Sequence, residues 1–76
     1  MKASALQNLI VSQLVRRRGG TARRWRTVVG AIRIYDPATH PHCNWAVSPS
    51  GEIRDVAQLE ALLDQVRLDH PVVEAG

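Results

Sequence analysis

Phenylalanine is absent from the 76 residues, so Trp25, Trp45 and Tyr35 must supply any aromatic bulk. A single cysteine, Cys43, excludes an intramolecular disulfide and a disulfide scaffold. That fits a reducing cytoplasm. No apolar run approaches the roughly 18 residues needed to span a bilayer. Gln7, Asn8, Ser12 and Gln13 interrupt the N-terminal stretch, which has neither the unbroken apolar run nor the cleavage site of a signal peptide. These absences lead to the expectation of a soluble cytoplasmic protein without a membrane partner. The most telling absence is one of charge: the first 35 residues contain no aspartate or glutamate.

What stands there instead is basic. Lys2, Arg16, Arg17, Arg18, Arg23, Arg24, Arg26 and Arg33 make the front half +8. Asp36, Glu52, Asp55, Glu60, Asp64, Asp69 and Glu74, against Arg54 and Arg67, make the rest −5, and the chain is +3 in total. Six arginines fall within the eleven residues 16–26. Charge of one sign gathered on one surface attracts polyanions, unless the fold neutralises it internally. The length allows one domain, residues 1–76. A chain this short buries only about 60–65% of its unfolded surface, so its core is small.

Residues 4–18 read as a helix. Leu6, Leu9, Ile10 and Leu14 share one face. Ser4 and Gln7 form a capping-box pattern, three arginines suit the last turn, and Gly19-Gly20 supply the stop. Residues 24–35 read as a strand, from the branched Val28, Val29, Ile32 and Ile34 and the aromatic Tyr35. Gly30 would mark a bulge or a close backbone approach within it. Asp36-Pro37 ends that strand and a loop runs to His42. A second strand is expected over 43–48, with Cys43, Trp45 and Val47 on one face. Ser48-Pro49-Ser50-Gly51 is a turn. Glu52-Ile53-Arg54 fits a short third strand. Residues 56–69 read as a second helix, capped by Asp55, with an apolar stripe of Val56, Leu59, Leu62, Leu63 and Val66. Pro71 stops it, and residues 72–76 are expected to fray.

The resulting fold class is two-layer α+β: helix, strand, strand, short strand, helix, with both helices on one face of a two- or three-stranded antiparallel sheet. The order, with a histidine- and proline-containing loop before the second strand, loosely resembles the double-stranded RNA-binding domain. That family carries a basic cluster at the start of its second helix. Here that stretch is Asp55-Val56-Ala57-Gln58-Leu59-Glu60, which is acidic, so no residue carries over.

Three groupings bear on chemistry. His40, His42 and Cys43 are metal-ligand or thiol-catalysis types. However, His42 and Cys43 are adjacent and would point to opposite sides of a strand, and a fourth ligand and an orienting third residue are both missing. No cofactor, metal or catalytic residue is therefore expected, and the protein reads as non-enzymatic. The arginine-rich segment offers Arg16, Arg17, Arg18, Arg23, Arg24 and Arg26 as phosphate contacts, with Trp25 as a stacking face. Third, Val11 and Val15 on helix 1 are spare apolar positions that could seat a second copy. The leading expectation is a protein-interaction or self-association module, and the alternative is nucleic-acid binding through residues 16–26.

Overall fold

The computed structural model describes residues 1–76 and contains three helices and one two-stranded antiparallel sheet. In chain order these are α1 (Ala3–Arg18), α2 (Ala22–Val29), β1 (Ile32–Ile34), β2 (Trp45–Val47) and α3 (Ile53–Asp69). The α+β class and the antiparallel pairing are those the sequence implies. The elements differ in two places, and β2 is shorter than the expected 43–48, leaving Cys43, Asn44 and Ser48 outside the sheet.

The first difference is α2, which occupies residues expected to form the front of a strand. Thr21 caps it, its hydroxyl accepting the Arg24 N–H at 3.1 Å. Trp25, Val28 and Val29 recur at helical spacing and are buried. Gly30 ends it at φ +66, a conformation that favours glycine. An isolated eight-residue helix is marginal in water, and tertiary contacts hold this one at both ends. The Trp25 indole donates to Gly19 O at 2.8 Å. The exposed C-terminal carbonyls are taken up by other segments. Ser50 N–H donates to Val28 O at 3.0 Å, Ser50 Oγ to Thr27 O at 3.4 Å, and Gln7 Nε2 to Gly30 O at 2.8 Å. The segment 48–51, which links β2 to α3, thus also finishes α2.

The second difference is Glu52-Ile53-Arg54, which opens α3 rather than adding a strand. Asp55 consequently sits in the first turn instead of capping it. The sheet keeps two strands, with Ile32 opposite Val47, Arg33 opposite Ala46 and Ile34 opposite Trp45. With α2 in place, the order no longer matches the double-stranded RNA-binding arrangement.

One apolar cluster joins the elements. Leu6, Ile10, Val11 and Leu14 from α1 meet Trp25, Val28 and Val29 from α2, and Leu59, Leu62, Leu63 and Val66 from α3. Trp45 and Val73 complete it. Val11 is buried and so is not spare for a second copy, while Val15 packs against the same cluster and stays partly exposed.

The C-terminal residues, expected to fray, make specific contacts. Val73 is buried, and its backbone pairs with the Asn44 side-chain amide. Asn44 N–H donates to Pro71 O at 3.0 Å. Beyond this clamp, Lys2 and Glu74 form a parallel bridge. Ala3 N–H donates to Glu74 O at 2.8 Å and Ser4 N–H to Gly76 O at 2.6 Å. Since α1 has no side-chain cap and Ser4 lies inside it rather than before it, the last residues of the chain take that role.

Candidate functional site

The arginine-rich segment forms the connection and flanks of an α1–α2 hairpin. Arg16, Arg17 and Arg18 occupy the last turn of α1, where the helix dipole favours cations. Gly19 and Gly20, at φ +77 and +83, turn the chain. Arg23, Arg24 and Arg26 follow on α2. All six arginines are exposed at least in part.

Only one of the six has an acidic partner. Arg24 Nη2 lies 2.6 Å from Asp55 Oδ2 across 31 residues of sequence. The Asp55 side chain is 9% exposed and that of Arg24 52%. The Arg24 guanidinium also stands 5.4 Å from the Trp25 ring centroid, a cation–π distance. The one other ion pair in the molecule is Arg67 with Asp64, 3.7 Å apart within α3. Arg16, Arg17, Arg18, Arg23 and Arg26 therefore face solvent without a carboxylate in ion-pair range. Arg26 makes a single neutral contact, with Asn8 Oδ1 at 3.5 Å.

Helix geometry divides these five into two sets. Arg26 touches Asn8, and Asn8, Ser12 and Arg16 follow at four-residue spacing along one exposed stripe of α1. Arg23 lies one turn from Arg26 on α2. Arg17 and Arg18 instead line a groove of about 90 Å³ against α3, floored by Leu14, Ala61 and Leu62. Glu60 and Asp64 line a different groove, of about 220 Å³, on the β2 side of α3 beside Val47 and Pro49. Among the α3 acids only Asp69 shares a groove with one of the free arginines, Arg17, and there its carboxylate is hydrogen-bonded by Gln65. Asp55 apart, no acid of α3 forms an ion pair with these arginines.

Trp25 is not available for stacking. Its side chain is 1% exposed and its indole N–H is already bonded to Gly19 O. The reason is the helix: residue 25 points inward with 28 and 29, where a strand would have left it on a mixed face. Of the segment 16–26, Trp25 and Arg24 are thus structural, and five arginines remain, in two sets, as candidate binding groups.

The imidazole and thiol group does not assemble. The Cys43 thiol donates to Trp45 O at 3.4 Å and has no histidine among its hydrogen-bond partners. His40 stacks on Tyr35 at 4.5 Å and contacts Thr39 Oγ1 at 2.9 Å. No three His, Cys, Asp or Glu side chains converge as a metal site would require. The grooves, the largest about 220 Å³, fall below the usual size of small-molecule pockets. No helix is long and apolar enough to cross a membrane.

Asn44 is the residue that sequence reasoning passed over. It is 1% exposed, and both ends of its amide are hydrogen-bonded. A polar residue between Cys43 and Trp45 was the available signal. Its partners, Tyr35 and Val73, are distant along the chain and carry no mark in sequence.

No family model, curated protein or solved structure matches the chain.

Proposed function

We propose that the protein is a non-enzymatic binding module that takes the phosphate backbone of nucleic acid on Arg16, Arg17, Arg18, Arg23 and Arg26. The observation that carries this reading is the pairing pattern: one arginine of six is neutralised by an acid and five are left exposed without one on the α1–α2 hairpin. Internal neutralisation would have removed the reason for a polyanionic partner. Arginine suits the role because its planar fork binds phosphate oxygens in pairs. Each phosphate neutralised releases condensed counterions, so the affinity falls steeply with salt. Fluorescence anisotropy with a labelled oligonucleotide tests the reading. Binding in the micromolar range at 50 mM salt, lost by 300 mM, is the expected result. Absence of binding at 50 mM salt overturns it.

A second reading, contact with a protein partner or a second copy, draws on α3. Ile53 is 88% and Leu68 77% exposed on the outward side of that helix. Sedimentation over a range of concentrations tests the second-copy form: a concentration-dependent rise in mass that Leu68→Glu abolishes supports it, and a strict monomer opposes it.

A further inference from the structure

We infer that the partner is a nucleic-acid duplex held through its phosphates, and not a single strand held by stacking on its bases. The inference rests on the phosphate-binding reading and narrows it. Proteins that hold single strands without sequence preference combine a basic groove that tracks the backbone with aromatic faces on which bases stack. These arginines have no aromatic face beside them, and the grooves that Arg17 and Arg18 line are small.

The aromatic side chains are all committed elsewhere. Trp25 is sealed under α2 with its N–H bonded to Gly19 O. Trp45 is 3% exposed, its indole N–H donates to His70 O at 2.8 Å, and the Arg67 guanidinium lies 5.4 Å from its ring centroid. Tyr35 is partly exposed, but it follows β1 rather than the hairpin, and His40 stacks on it.

No single groove joins the five arginines. None of the three surface grooves is lined by Arg16, Arg23 or Arg26. The groove at Arg17 and Arg18 holds about 90 Å³ over an aliphatic floor and offers no aromatic face. What remains is a helical hairpin with exposed guanidinium groups. A duplex needs no groove to enter, and its two strands offer phosphates at a density of one per roughly 1.7 Å of axis. Arg23 and Arg26 stand about 4.5 Å apart along α2 at 1.5 Å per residue, so both can meet the backbone at once.

Rigidity favours the same partner. The hairpin is braced by the Trp25 to Gly19 bond, the Gln7 to Gly30 bond and the Arg24–Asp55 pair. A braced surface suits a stiff, regular lattice of charge better than a flexible strand that must be wrapped.

The test titrates the full chain with a labelled 20-base-pair duplex and with a 20-nucleotide oligothymidylate at 50 mM salt, following tryptophan emission in parallel. The duplex is expected to bind at least tenfold more tightly, with tryptophan emission unchanged. For five phosphates neutralised, log affinity against log salt should fall with a slope of about −4.5. Equal or tighter binding of the oligothymidylate, or quenching of tryptophan by it, overturns the duplex inference while leaving the phosphate reading standing. If neither ligand binds, the phosphate reading fails and this inference falls with it.

Discussion

The side-chain amide of Asn44 pairs with the backbone of Val73 in both directions. Nδ2 donates to Val73 O and Oδ1 accepts the Val73 N–H, each at 2.8 Å. This is the pattern one strand offers another, made by a side chain. Nδ2 also lies 3.2 Å from Tyr35 O, so the same amide ties the sheet to the C-terminal segment. Because that segment meets the first N–H groups of α1, the clamp reaches the start of the chain as well.

Asn44→Ala should therefore be among the more damaging substitutions. It leaves the Val73 N–H and C=O buried without their partners, at about 1–3 kcal/mol for an unsatisfied group. Chemical denaturation should show a loss of about 2–4 kcal/mol. Asn44→Asp replaces a donor by an acceptor facing Val73 O and should cost at least as much. Hydrogen exchange supplies the local readout. The amides of Val73 and Ala3 should lose protection together in Asn44→Ala, because the segment that bonds Ala3 depends on the clamp.

The Arg24–Asp55 pair makes a directional prediction. Asp55 is nearly buried and Arg24 half exposed, so the two sides of the pair are not equivalent. Arg24→Ala strands a carboxylate and should cost about 1–3 kcal/mol. Arg24→Ala combined with Asp55→Ala should recover part of that loss. A double-mutant cycle with thermal unfolding measures it, and additive losses would show that the pair contributes no coupling.

Helix α2 can be tested at its two ends. Thr21→Ala removes the oxygen that accepts the Arg24 N–H and should cost about 1 kcal/mol, whereas Thr21→Asp should keep the cap. Gly30→Ala places a side chain at φ +66 in open space, so its expected cost of about 1 kcal/mol comes from backbone strain alone. A strand over 24–35 would have no helix start for Thr21 to cap, so the Thr21 substitutions separate the two conformations by stability measurements.

How far the sequence led, and where it misled, follows from the range of the signals. Helices α1 and α3 were legible because Leu6, Ile10 and Leu14, and Leu59, Leu62, Leu63 and Val66, repeat at helical spacing over many residues. Helix α2 has room for only two turns. Within them, Thr27, Val28 and Val29 carry the branched side chains that suit strands, and that preference outweighed the spacing of Ala22, Trp25, Val28 and Val29. Thr21 and Gly30, a cap and a stop, were the available correction. Asp55 was read as a cap because its only visible neighbours were local, and its partner Arg24 lies 31 residues away. The arginine cluster itself was plain in the sequence. Which of its members are free was not, because that depends on where helices α2 and α3 meet.

The most direct measurement compares salt dependence in two variants. Duplex affinity is determined at several salt concentrations for the wild-type chain, for Arg24→Ala and for Arg23→Ala/Arg26→Ala, with folding of each checked by circular dichroism. If free arginines hold phosphate and the paired one holds the fold, Arg24→Ala keeps the wild-type slope. The double variant loses about two units of slope and binds at least tenfold more weakly at 50 mM salt. A folded double variant with the wild-type slope, or an Arg24→Ala variant that flattens it as much, would contradict the account.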